Sequence, residues 1–288
     1  MPSCHMAQDI PKRLIIATLL TAFTLAPCMT YAGQFGPPEP IASEGKVSLG
    51  VGYFHFSGKL KAENPGELFS ARQKIQQNQV YLQAGYGFIK NWEAYLRVAG
   101  ADFEVENAFS FDSSLSRSNT SRQGLRPFGT LGVKGLLYDG LYFGLGPFFQ
   151  GSIFSSYEDK KTRVRPSGLC CNSDEVEIKN PWDVNFGIGV QTKLYGVTLY
   201  GGSFAYWTGY KAEKVFFIPN LEPEGCLGGA VGCPARTLVD KTHYREKNNF
   251  GGFVGLRTPL PWVERVHAEL EGQFKNKGSV GISLHYSF

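Results

Sequence analysis

Long stretches of the chain alternate apolar and polar residues with a period of two, the pattern of strands with one apolar face. The clearest is the last, Lys277 to Phe288. Val280, Ile282, Leu284, Tyr286 and Phe288 fall on one face, and Ser279, Gly281, Ser283, His285 and Ser287 on the other. The same alternation predicts earlier strands at about 45–58, 76–89, 92–104, 124–137, 141–154, 182–194, 197–208, 248–259 and 262–275. The seventh is aromatic, with Tyr200, Phe204, Tyr206 and Trp207, and its facing is ambiguous beside Gly201 and Gly202. Short turns are expected at Lys90–Asn91, Tyr138–Gly140, Tyr195–Gly196, Pro259–Pro261 and 276–278. Long polar loops are expected at 58–74, 105–123, 155–180 and 209–247.

A strand with one apolar face and one small polar face suits a barrel wall between lipid and lumen. The terminal strand resembles the C-terminal strand of Gram-negative outer-membrane β-barrels, which commonly end in Phe. The resemblance makes Tyr286 and Phe288 an assembly signal read by the barrel-assembly machinery. The expected fold is all-β: a transmembrane antiparallel up-and-down barrel of about ten strands, with eight or twelve as alternatives. Its long loops and the short turn at 276–278 face the cell exterior, and its other short turns the periplasm. Trp92, beside a turn, suits an aromatic girdle at the membrane edge. The last strand closes on the first and removes the edges of the sheet.

Composition agrees. The chain has 288 residues, with 35 Gly, 22 Phe and 14 Tyr, 19% charged residues and a mean hydropathy of −0.18. That is too polar for a helical membrane protein. The one long apolar run, Leu14 to Leu25, follows Lys12 and Arg13 and is too short to span a bilayer as a helix. It reads as a secretory signal, residues 1–32, cleaved after Thr30-Tyr31-Ala32. A lipoprotein signal with Cys28 as acceptor is the alternative. Residues 33–44 read as a periplasmic lead-in and 45–288 as the barrel. Losing Asp9, Lys12 and Arg13 lowers the formal charge of +4 by one, which excludes nucleic acid as an expected partner. Outer-membrane lipid and lipopolysaccharide are the expected surroundings.

Cys170, Cys171, Cys226 and Cys233 would remain, an even number in an exported chain, which favours disulfides between the two long loops. Zinc is the alternative. No cofactor is expected.

Parity puts Glu93, Arg97, Lys134, Gln150, Gln191, Lys193, Arg257, Arg265, His267, Glu269 and Glu271 in the lumen. Such charges must pair or line water. Many inward neighbours are glycine, which leaves volume for a conducting path or eases strand curvature. A salt-bridged plug and a narrow channel are therefore both open. The expected function is a non-enzymatic small pore or structural barrel, passing small solutes if open. The second reading is surface recognition of an extracellular partner through loops 155–180 and 209–247. The third is a hydrolase at the rim. The omptin proteases are similar in length and strand count, but Asp240 and His243 do not have that family's dyad spacing. His267 with Glu271 reads as a lumen hydrogen-bonding pair rather than a catalytic one. Asp174, Glu175 and Glu177 read as a charged loop rather than a calcium site.

Overall fold

The computed structural model describes residues 34–64, 71–106, 108, 120–164, 171–218, 236–246, 249–260, 262–275 and 278–288. Thirteen strand segments are described, all in one antiparallel sheet. They are β1 Val47–Ala62, β2 Arg72–Ile89, β3 Trp92–Glu106, β4 Ser121–Gly135, β5 Tyr138–Asp139, β6 Gly144–Phe154, β7 Tyr157–Val164, β8 Cys171–Leu194, β9 Val197–Ile218, β10 Arg236–Arg245, β11 Phe250–Pro259, β12 Val266–Phe274 and β13 Gly278–Ser287.

Ten of them close a ring in the order β1-β2-β3-β4-β6-β8-β9-β11-β12-β13 and back to β1. The closing pair runs from Ser48 opposite Ser287 to His55 opposite Val280. Phe288 completes it, its amide donating to the Val47 carbonyl at 3.0 Å. Closure matters because an open edge in hydrocarbon would strand backbone donors and acceptors at several kcal/mol each. No described helix is long and apolar enough to cross a membrane.

Alternation holds around the ring. Leu82, Val98, Leu131, Ile153, Phe186, Ile188, Val254 and Ile282 face outward and are all more than half exposed, or nearly so. Their neighbours Gln83, Arg97, Thr130, Ser152, Asn185, Gly187, Phe253 and Ser283 face the bore. The facing of β9 is settled: its even-numbered residues Tyr200, Phe204, Tyr206, Tyr210, Ala212 and Phe216 are buried inside, and Trp207 points out.

Four expectations need correction. Much of the described part of the long loops is strand, because pairing continues beyond the apolar belt. β1 and β2 stay paired to Lys61 and Arg72, β7 and β8 form a hairpin over 157–178, and β10 pairs with β9 over 236–245. The turn after β5 lies at 140–143, not at Tyr138–Gly140, because Gly140 donates to the Phe143 carbonyl while Tyr138 and Asp139 remain paired. Arg265 is not a lumen residue. It sits exposed in the turn before β12 with a positive φ of 65°, since β12 starts only at Val266. Residues 34–44 do not hang below the barrel; they enter it. Tyr195 and Gly196, with φ of 51° and 83°, and Asn91, with φ of 65°, make the tight turns that the sequence predicts there.

The terminal residue is part of the closing ladder, so deleting Phe288 should reduce the heat-modifiable, folded fraction of the protein in outer-membrane preparations. Normal folded levels would show that closure does not need it.

Candidate functional site

The bore is built in layers, each set by which inward residues its strands supply. The periplasmic layer is charged. Glu93 and Arg97 come from β3, Lys134 from β4, Gln150 from β6, Asn185 and Gln191 from β8, Arg257 from β11, Glu269 and Glu271 from β12 and His285 from β13. All ten are buried. Of the remaining sequence-derived candidates, His267 is half-buried at the start of β12 and Lys193 lies at the rim, exposed and bonded to Glu39 at 2.6 Å.

These residues do not line an open channel. They hold the N-terminal segment, and they hold it mainly by its backbone. Glu271 accepts from the amides of Phe35, at 3.0 and 3.2 Å, and Gly36, at 2.8 Å. Glu93 accepts from the Ile41 amide at 2.7 Å, and Gln191 from the Glu39 amide at 2.8 Å. Arg97 donates to the Gln34 carbonyl and Arg257 to the Glu39 carbonyl, the latter at 3.0 Å. A segment with no strand partner has no other outlet for its polar groups. Charged acceptors and donors make the stronger bonds available to it.

The wall residues are braced in turn. Arg97 donates to Gln83 at 2.7 Å and Gln150 at 3.1 Å, and its guanidinium lies against the rings of Tyr81 and Tyr95 at 4.8 and 4.9 Å. Arg257 is bonded to Glu269, which His285 also approaches at 3.7 Å. Gln273 donates to Glu271 at 2.6 Å. Four carboxylates (Glu39, Glu93, Glu269, Glu271) thus face four cations (Arg97, Lys134, Lys193, Arg257), so the floor is balanced in charge. Balance of this kind is what lets ionised groups persist away from bulk water.

Glycine makes the approach possible at two points. Gly36 has a φ of +73°, and a side chain there would lie 2.9 Å from the Lys134 ammonium and 3.0 Å from Glu269. At Gly87 a Cβ would fall 2.1 Å from the Ser43 carbonyl oxygen. There the segment leaves the bore through one short parallel contact, Glu44 with Gly87, where the Gly45 amide donates to Gly87 at 2.7 Å.

Above the charged floor sits an aromatic collar. The Phe35 ring stacks on Phe148 at 4.2 Å and meets Phe204 and Phe253 edge-on at 4.9 and 5.4 Å. Above the collar is a small hollow of about 30 Å³, bounded by Phe56, Gln79, Phe103, Phe154, Asp183, Tyr210 and Lys275 among others. The outermost layer is mostly apolar: Leu60, Ile75, Val105, Val176, Ile178 and Tyr244 pack across the bore, with Gln73, Lys214 and Thr242 buried in the same layer. Outside the membrane, the carboxyl of Glu213 is held below its usual range by hydrogen bonds from Lys179 and Lys241, and Lys179 is held correspondingly high by Glu177 and Glu213.

The rim-hydrolase candidates do not assemble. Asp240 and His243 have opposite parity on β10, and His243 stands 3.9 Å from Glu63. Glu271 is engaged by the plug amides rather than by His267. Glu175 and Glu177 pair with Lys160 and Lys179 at 3.4 and 2.9 Å. The signal segment 1–32, Cys170, Cys226 and Cys233 lie outside the described residues, as does the side chain of Cys171. Sequence reasoning missed Gln34 to Ala42, and with them Tyr81 and Tyr95. The available signal was a cluster of inward charges on β3, β11 and β12 with too few wall partners to neutralise it.

A closed ten-strand ring, an apolar outer belt and a polar, plugged bore are the architecture of a transmembrane β-barrel. No family model and no curated protein matches this chain. Solved structures similar to it include the outer membrane protease OmpT of Escherichia coli, at 12% identity over 90% of this chain and 100% of that one, TM-score 0.41. OprG of Pseudomonas aeruginosa is similar at 11% identity over 86% and 97%, TM-score 0.41. The translocator domain of the autotransporter NalP of Neisseria meningitidis follows at 10% identity over 85% and 89%, TM-score 0.40. Likenesses this distant carry no argument about activity.

The plug depends on Glu271 more than on any other acceptor described, since two of its amides end there. Replacing Glu271 with Ala should weaken docking by about 3 kcal/mol, the scale of two hydrogen bonds to a charge. The expected result is that a cysteine placed at Ile41 becomes reactive to a polar maleimide from the periplasmic side. Protection equal to the parent would show that the segment is held by its side chains instead.

Proposed function

We propose that this chain is a non-enzymatic outer-membrane channel for small solutes, closed at rest by its own N-terminal segment. The observation behind the reading is the way residues 34–42 are held. They belong to no wall strand, and reversible hydrogen bonds fasten them to a charged floor. The ring of ten strands is hydrogen-bonded without them. A structural barrel has no need of a separable plug; side chains alone can fill a bore of this size.

The basic residues Lys12 and Arg13 followed by the apolar run to Leu25 support export with a signal cleaved after Ala32. The side chain of Gln34, close after that point, lies in the bore and accepts from Tyr81 at 3.0 Å. In this reading outer-membrane lipid covers the apolar belt, lipopolysaccharide meets the lysine-bearing wall above it, and the barrel-assembly machinery inserts the chain.

Two measurements test the proposal. The purified outer-membrane form should begin at Gly33 by N-terminal sequencing and intact mass; a retained leader would refute the cleavage. In planar bilayers the mature protein should conduct rarely or in brief openings, and a variant lacking residues 33–42 should give steady, salt-dependent steps. A folded variant without current would return the chain to the structural-barrel reading.

A further inference from the structure

One of the four floor carboxylates does not belong to the wall. Glu93, Glu269 and Glu271 stand on strands, whereas Glu39 is part of the plug and the one charged residue between positions 34 and 42. The wall surrounds its side chain with donors. Lys193 of β8 donates to Oε1 at 2.6 Å, and the Gln191 side-chain amide, on the same strand, donates to Oε2 at 3.4 Å. Arg257 of β11 donates through Nη1 to the Glu39 carbonyl at 3.0 Å. Lys193 and Arg257 share one row of the sheet, both opposite Thr198 of β9. The Arg257 side chain is buried and bonded through Nε to Glu269, and its other terminal nitrogen, Nη2, is buried without a partner.

We infer that this place on the wall is a subsite for the carboxylate of a small anionic solute, and that Glu39 fills it with a carboxylate of its own while the bore is closed. The inference rests on the channel reading and names the class of solute. When the plug leaves, Lys193 loses the acid that it pairs with; among the described residues no other carboxylate lies within ion-pair distance of it. Arg257 keeps Glu269 on Nε and has both terminal nitrogens free, the fork that grips a planar carboxylate. Gln191 regains its side-chain amide as a further donor. The floor as a whole then holds Arg97, Lys134, Lys193 and Arg257 against Glu93, Glu269 and Glu271, an excess of one positive charge. A ring of cationic side chains selects anions in a pore, and a cation passing the same point is repelled. A neutral solute gains nothing from the excess charge.

Plug and solute therefore compete for the same donors. The Lys193 side chain is 60% exposed even with Glu39 bound, so an anion can approach it before the plug has left. Binding to the released state then favours opening by mass action.

The experiment is current recording in planar bilayers with the variant lacking residues 33–42. Propionate, which reproduces the side chain of Glu39, is the probe, and propionamide is its neutral comparator. Under a potassium chloride gradient the reversal potential should show a preference for chloride. Propionate should reduce the chloride current saturably, at concentrations about tenfold or more below those at which propionamide acts, the scale of one hydrogen bond to a charged group. Lys193→Met in the same variant should lose about that factor, and Lys193→Glu should reverse the ion preference, since four carboxylates would then face three cations. If the deletion variant does not fold, as judged by heat-modifiability, Glu39→Gln in the full mature chain reads the same site. Its openings should be about two- to fivefold more frequent than the parent's, the scale of one exposed ion pair, with the same preference for chloride. Steady current without anion preference, equal action of propionate and propionamide, or Lys193 variants that behave as their parent would each overturn the subsite and leave the channel standing. A folded deletion variant that passes no current would overturn both.

Discussion

Everything in this molecule follows from the cost of an unsatisfied backbone group away from water. The wall meets that cost by closing: ten strands pair in a ring, and the amide of Phe288 finds the carbonyl of Val47. The segment inside the wall cannot meet it the same way, because it has no strand beside it for most of its length. The side chains of the bore do it instead. Glu93, Gln191 and Glu271 take its amides, and Arg97 and Arg257 cap its carbonyls. Charged residues in a narrow barrel look costly in isolation. Here they replace the hydrogen bonds that a neighbouring strand would have provided, and their own charges cancel across the floor.

The vertical order of the bore has a physical logic. Polar contacts are concentrated where the plug needs them, at the periplasmic end. The aromatic collar then separates this floor from the hollow above, with Phe35 as the one plug side chain that joins both. Above the hollow the strands continue beyond the belt, and their inward faces become mostly apolar, with Gln73, Lys214 and Thr242 as buried polar exceptions. That upper part resembles the core of a soluble sheet more than a lumen. Its outer face bears ion pairs such as those of Lys179 and Lys241 with Glu213, which suits a wall standing in water.

How much of this was legible depended on the range of the signal. Strand parity is a local property, so the outward rows and most inward residues follow from period two alone; the final strand is the best case. Tight turns at Asn91 and at Tyr195–Gly196 are also local. Arg265 was misplaced because Pro259 and Pro261 mark a turn without saying where the next strand resumes. The loops were read too long because polar residues on both faces do not distinguish a solvated hairpin from a loop: β7 and β8 carry Lys160, Lys179, Glu175 and Glu177 on paired strands. The plug was invisible for a deeper reason. Residues 34–42 have no periodicity, and their partners stand as far as 236 positions away in the chain. The inward glycines were read as possible free volume. Some of that space is instead taken by neighbours, as at Gly52 under Tyr81 and Gly189 under Pro38.

Wall and plug use separate sets of bonds, and this separation constrains how such a barrel could open. Ladder bonds between strands are backbone to backbone and involve none of the plug-holding carboxylates. Releasing residues 34–42 would therefore cost the bonds to the floor without unzipping a single strand pair. What release would expose is the charged floor itself, where four cations then face three carboxylates because Glu39 leaves with the segment. Opening would exchange amide–carboxylate bonds for water–carboxylate bonds, a trade close to even in net free energy. The apolar contacts of Phe35 with the collar are the part of the closed state that water cannot replace. The packing of the Phe35 ring against the collar therefore adds to the charged bonds beneath it in holding the segment in place.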